Sequence, residues 1–300
     1  MNDQSTVRPA RVKGPRVFLD YDQQELDDAY DQAVYALNRD ELVASLAQAS
    51  GLARTRLGTP LRESYGPTPI EQLDIYRTRD AGAPVAVFIH GGAWQRGTAA
   101  EHAYAAEMLV RAGAHFVVPD FERVQDAEES LFTMVDQVRR AVAWVYRNAG
   151  SFGGDPGRVY VLGHSSGAHL GGCVAVTPWE DFGLPFDIVK GYTLQSGMYD
   201  LRGPRLSKRS AYVQFTDDME EALSPQRHLN RIAAPVVLVC GSLETPEFQR
   251  QSREFAAALH AAGKPVELIF ADGCNHFEVA GTLADPEGYS GKAVRRQMSL

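Results

Sequence analysis

The chain has 300 residues, 44% of them hydrophobic and 23% charged, with a formal net charge of −8 and a pI near 5.5, enough apolar content for one domain around a single large core. The acidic balance and scattered basic residues argue against a nucleic-acid partner, which needs clustered Lys and Arg. Cys173, Cys240 and Cys274 are widely spaced and odd in number, which fits reduced thiols rather than a disulfide framework or a metal site.

In chain order, residues 1–16 are polar and read as a mobile leader. They hold no apolar run, and no later stretch approaches the length of a membrane span, so a cytoplasmic protein without membrane contact is expected. Two amphipathic helices follow. Leu26, Tyr30, Val34 and Leu37 recur near helical spacing, and Asn38-Arg39-Asp40-Glu41 has the form of a capping box ahead of Leu42 and Leu46. Residues 1–60 are thus assigned to a leader and helices that pack on the core, with Tyr21 and Tyr30 as aromatics that would meet a substrate if the helices reached it.

Residues 61–300 are assigned to the main domain. Strands are expected at 73–77, 85–89, 115–119, 159–162, 191–196, 235–240 and 265–270, with long helices at 128–148 and 248–262. This alternation builds an α/β fold, a mostly parallel sheet with helices on both faces. Between 197 and 230 it lapses; Arg202, Lys208 and Arg209 precede Tyr212 and Phe215, and the segment is expected to form a small cap insertion over the end of the sheet.

Gly163-His164-Ser165-Ser166-Gly167 lies between the strand at 159–162 and a helix-like run from Ala168. That is the context of a nucleophile elbow, where two glycines permit a turn sharp enough to expose the middle serine at a helix N-terminus. A serine nucleophile needs a base and an orienting acid. His276 follows the last strand in a loop with Gly273 and Asn275, which makes it the natural base among eight histidines. The acid candidates are Glu244, just past the strand at 235–240, and then Asp200, Glu247 and Asp272. His90-Gly91-Gly92-Ala93-Trp94 follows the strand at 85–89, so the amides of Gly92 and Ala93, with that of Ser166, are candidate oxyanion donors.

These motifs resemble the α/β-hydrolase fold, and within it the kynurenine formamidase (arylformamidase) group. The likeness rests on His90-Gly91-Gly92-Ala93-Trp94, on Gly163 through Leu170, on Pro246-Glu247-Phe248 with Gln251-Ser252, and on Asn275-His276-Phe277. Hormone-sensitive-lipase-like esterases share the first two. The resemblance spans roughly residues 70 to 280 and implies Ser165, Glu244 and His276 as the triad, with glutamate where aspartate is the group's usual acid.

It further implies a serine hydrolase, without metal or organic cofactor, that cleaves formyl or acetyl from an aryl amide such as N-formylkynurenine. A short-chain carboxylesterase and a catalytically silent small-molecule receptor are the alternatives, and a homodimer is compatible with each. Trp94 should restrict the acyl side of the pocket, Tyr199, Tyr212 and Phe215 could stack on an aromatic leaving group, and His169, one helical turn beyond Ser165, could touch substrate.

Overall fold

Residues 12–300 are described by this computed structural model, so most of the expected leader lies outside the described residues. Strands β1 (Arg16–Phe18) and β2 (Tyr21–Asp22) pair antiparallel ahead of helices α1 (Gln23–Ala29), α2 (Gln32–Tyr35) and α3 (Arg39–Leu57). The single helix expected through Leu26, Tyr30, Val34 and Leu37 is interrupted. Asp31 captures the amide of Ala33 and starts a second helix, and Leu37 is 98% exposed. The expected box at Asn38 does not form either, because the Asn38 side chain makes no capping bond and instead accepts from Asn275 Nδ2 at 2.9 Å.

One sheet organises the rest. It comprises β3 (Leu61–Ser64), β4 (Gln72–Tyr76), β5 (Ala83–Ile89), β6 (His115–Pro119), β7 (Gly154–His164), β8 (Val189–Gln195), β9 (Val236–Gly241) and β10 (Val266–Ala271), in the order β10-β9-β8-β7-β5-β6-β4-β3. From β10 to β6 every pair is parallel, and β4 and β3 continue antiparallel. The β3 edge was not visible in the sequence: Leu61-Arg62-Glu63-Ser64 is short and polar, as an edge strand can be.

β5 is buried along its whole length, as an apolar run covered on both faces must be. Its period of two divides the core: Val85, Val87 and Ile89 enter one cluster, Ala86 and Phe88 the other. Helices α4 (Ala106–Arg111), α5 (Leu131–Asn148) and α6 (Ser166–Ala175) lie among these strands, and α5 buries Leu131, Met134, Val135, Val138, Val142 and Val145 on one stripe. The segment expected as an irregular cap carries α7 (Arg202–Leu206) and α8 (Asp217–Ala222) between β8 and β9. Helices α9 (Pro246–Ala261), α10 (His276–Gly281) and α11 (Tyr289–Met298) complete the chain. Because β5, β7, β8, β9 and β10 are parallel, the residues following each of them emerge at one edge of the sheet.

Two glycines set how tightly β7 can turn into α6. A Cβ on Gly167 would lie 2.1 Å from the Ile89 carbonyl oxygen, and one on Gly163 would lie 2.6 Å from the Gly167 carbonyl oxygen. Backbone atoms cannot swing aside as a side chain can. Gly167→Ala is therefore expected to destabilise the fold by about 3 kcal/mol, or roughly 6 °C in Tm or more. Gly51→Ala, on the exposed face of α3 with open space around the new methyl, should instead stabilise by about 0.5–1 kcal/mol. Thermal denaturation of the two variants checks both signs.

Candidate active site

Ser165 adopts φ 56° and ψ −123°, a conformation that side chains rarely accept. Its amide is fixed by the Gln195 carbonyl at 2.8 Å, and its Oγ lies 2.8 Å from His276 Nε2. His276 Nδ1 lies 2.7 Å from Glu244 Oε2. A hydroxyl, an imidazole and a carboxylate from the segments after β7, β10 and β9 thus form one hydrogen-bonded chain. With a carboxylate on Nδ1, the proton of a neutral ring resides there and the Nε2 lone pair faces the hydroxyl. Such a ring can take the proton of an attacking serine.

The position of His276 is itself held from several sides. It opens α10, where Asn275 and Glu278 make a capping box, and Asn38 holds Asn275 from the N-terminal segment. The His276 carbonyl accepts from His164 Nε2 at 3.0 Å. His164, the residue before Ser165 in the elbow, is a brace for the His276 backbone. Burial pushes its imidazole well below the usual range, aided by the neighbouring His276, so it stays a neutral N–H donor.

Glu244 is 2% exposed. Its Oε1 accepts from the Gly241 amide at 2.7 Å and Ser196 Oγ at 2.5 Å, and its Oε2 accepts from Gln32 Nε2 at 3.4 Å besides facing His276. The other candidate acids are engaged elsewhere. Glu247 is clasped by Arg250 and by the Tyr30 hydroxyl at 2.8 Å, Asp200 pairs with Arg227 at 3.2 Å, and Asp272 accepts from Ser242 at 3.3 Å. Ser196 and Gln32 were missed in the sequence: serine at a strand end and glutamine on a surface-like helix carry no signal there.

Gly92, Ala93 and Trp94 are three successive residues with positive φ. A Cβ on Gly91 would come within 3.2 Å of Ser165 Cβ, so the segment lies directly against the elbow. The amides of Gly92, Ala93 and Ser166 donate to no protein acceptor among the described residues, which leaves them available to a developing oxyanion. The Trp94 amide, by contrast, donates to Ser166 Oγ at 3.2 Å. Ser166 thus contributes a side chain as well as an amide, a contact the sequence reading did not foresee.

Among the aromatic candidates, Trp94 is wedged in place: its Nε1 donates to His169 Nδ1 at 3.3 Å and its ring meets Phe215 edge-on at 6.4 Å. His169 is fully buried, with Nε2 donating to the Leu223 carbonyl at 2.9 Å, and burial pushes it down to about 4. It positions Trp94 rather than meeting substrate, a correction to the expectation. Tyr199 is corrected as well, since it is a core residue, fully buried and stacked on Phe255 at 4.2 Å. Tyr212 and Phe215 are half-buried on the Trp94 side, and the Tyr212 hydroxyl accepts from Arg209 at 2.8 Å. Surface cavities of about 270 and 530 Å³, one beside Leu61 and Arg77, the other beside Leu52 and Tyr104, lie away from Ser165. Ser165 itself keeps only 7% exposure.

With this geometry in place, residues 73–259 match the family model BD-FAE. The chain belongs to that family, and it is an α/β-hydrolase. It is 30% identical to the kynurenine formamidase of Danio rerio over 250 residues, covering 81% of this chain and 83% of that protein. It is 28% identical to isoprenylcysteine alpha-carbonyl methylesterase of Arabidopsis thaliana, covering 74% of this chain and 57% of that protein. An esterase structure from Pyrobaculum calidifontis superposes with a TM-score of 0.69 at 20% identity, covering 92% of this chain and 97% of that one. The protein is a hydrolase of esters or amides, which removes the reading as a silent receptor. Among the described residues no helix is long and apolar enough to cross a membrane.

Two outcomes are expected. Burial lowers His90 to about 3, His169 to about 4, and His102, His115 and His164 below their usual range. The unfolded chain takes up those protons near pH 6.5 while the folded chain does not, so stability is full above that pH and declines as pH falls toward the folded values. Urea unfolding should lose up to about 1.4 kcal/mol per pH unit per histidine between pH 6.5 and 4.5; a flat profile would contradict this burial. Separately, Glu244→Gln should lower kcat on an aryl ester by about a thousandfold, with Asp200→Asn and Asp272→Asn within about threefold of the parent.

Proposed function

We propose that this hydrolase removes a formyl or acetyl group from an aryl amide such as N-formylkynurenine through an acyl-enzyme on Ser165. The observation that carries this reading is the Ser165–His276–Glu244 hydrogen-bonded chain beside a tryptophan that cannot move away. Ser165 Oγ attacks the acyl carbon while His276 Nε2 takes its proton, and Glu244 orients the ring and stabilises the imidazolium. The Gly92, Ala93 and Ser166 amides receive the oxyanion. His276 then protonates the departing amine, and water, activated by the same nitrogen, releases the acid.

Trp94 supports the small acyl group. Its indole is held by His169 and Phe215 immediately after the oxyanion segment, so lengthening the acyl chain meets a fixed wall. An aryl amine is a better leaving group than an alkyl amine, which lets His276 serve as the only acid. The 30% identical kynurenine formamidase relative favours the same chemistry. A short-chain carboxylesterase is the second reading, favoured by the methylesterase relative.

The test is a substrate series with nucleophile controls. Formyl and acetyl anilides should be cleaved, with kcat/KM falling steeply beyond acetyl, and Trp94→Ala should flatten that fall. Ser165→Ala should lose about three orders of magnitude or more and its labelling by a fluorophosphonate, whereas Ser166→Ala, which loses one hydrogen bond to Trp94, should lose about tenfold. A preference for butyryl or longer esters with no action on formyl anilides would leave only the esterase. Equal losses in the two serine variants would remove Ser165 from its role.

A further inference from the structure

The cavity of about 530 Å³ is walled by α3, by α4 and by the C-terminal stretch around α11. Its size is that of a small-molecule site. Ala49, Leu52, Ala53 and Arg56 line it from α3, at the i, i+3, i+4, i+7 spacing of one helix face. Met108, Arg111 and Ala112 line it from α4 and its C-cap, and Ala284 and Arg295 from the C-terminal stretch. Alanine at four of these positions keeps the walls short of one another and leaves the space open. Leu52, 46% exposed, gives the cavity an apolar mouth.

Its charged lining is unbalanced. Arg56, Arg111 and Arg295 stand there against one carboxylate, Glu107. Arg56 and Arg111 share that carboxylate at 2.9 and 2.6 Å, and Arg295 reaches only the Pro286 carbonyl at 3.5 Å and the exposed Glu287 at 3.9 Å. Two donors of the lining have no acceptor among the described residues, the buried Nε of Arg295 and the Tyr104 hydroxyl. Tyr104 is 5% exposed, and burial pushes its hydroxyl above the usual phenol range, so it stays an O–H donor. Buried donors without acceptors cost stability. A carboxylate supplies the acceptor oxygens that this lining lacks.

We propose that this cavity is a second binding site that takes an aliphatic carboxylate, its chain along the alanine and leucine walls and its head group on the arginines. Each methylene of such a chain leaves water for an apolar wall, and the head group meets cations that outnumber their carboxylate three to one. A cationic amphiphile of the same length would bury the same chain but meet like charge. Neither Ser165, His276, Glu244 nor the oxyanion segment lines the cavity, so a ligand here leaves the catalytic residues free, whatever acyl group Ser165 accepts. The plainer role, a water-filled crevice between packed helices, has no preference for head-group charge. That difference separates the two.

The experiment is isothermal titration of the full chain with hexanoate, octanoate and decanoate, after a fluorophosphonate has blocked Ser165 so that the acyl pocket is closed to them. Decanoate should bind once per chain, with affinity rising about twofold to fourfold per methylene along the series. Decanol should bind about tenfold more weakly than decanoate, and decylamine not measurably. Arg295→Gln should weaken decanoate about tenfold, and Ala49→Trp, whose indole fills the cavity, should abolish its binding. Equal binding of decanoate and decylamine overturns the proposal, as does a decanoate affinity unchanged in both variants or the absence of saturable binding. Should Ala49→Trp fail to fold, Leu52→Glu takes its place at a half-exposed position, and the like charge it sets on the wall should weaken decanoate about tenfold. If the fluorophosphonate leaves Ser165 unlabelled, the reading of the nucleophile fails, while the decanoate ratio between the parent and Arg295→Gln still decides this site.

Discussion

A carboxylate removed from water must find donors for its lone pairs, and that requirement at Glu244 draws the active edge of this protein together. The Gly241 amide, the Ser196 hydroxyl, the Gln32 amide and the His276 ring all converge on it. Each donor comes from a different part of the chain: the end of β9, the end of β8, α2 and the start of α10. The desolvation cost of a lone carboxylate exceeds the gain from any one of these bonds, so the set holds only when complete. The ring orientation at Ser165 follows from that constraint. The Glu244 side chain folds back so that its carboxylate accepts from the Gly241 amide, three residues before it.

Much of this edge was legible in the sequence, for identifiable reasons. Apolar runs such as 85–89 and 235–240 have one comfortable environment, a strand covered on both faces. The elbow glycines are forced by contacts with backbone, so their spacing survives as a motif. Ser165 and His276 could be read from the elbow motif and strand order, because parallel strands deliver their following loops to one edge, whereas strand order left Glu244 as one of four candidate acids. What stayed hidden depends on contacts across long sequence separations. Nothing in Gln32 announces that it faces Glu244, and nothing in His164 that it donates to the His276 carbonyl. The aromatic candidates failed where burial decides the role: Tyr199 and His169 have residue types that suit a pocket, but one stacks in the core and the other sits behind Trp94.

The N-terminal region shows why the division at residue 60 separates chain segments and not functions. The expected continuous helix through Leu37 breaks at Asp31, and that break lets the chain present Gln32 to Glu244 while Tyr30 reaches Glu247 and Arg209. Asn38 forgoes its capping bond and holds Asn275, the residue before His276. A local propensity is given up at each place, and a contact to the active edge is gained.

These contacts also set how the site divides its charges. On one side the His276 ring is held by the Glu244 carboxyl group, whose own donors fix it and so oppose any drift of the ring. On the other side the buried histidines remain neutral, so His164 and His169 act as fixed dipoles that brace His276 and Trp94 without competing for the proton. Arg209 is the exception, a permanent charge whose protein partners are dipoles and ring faces.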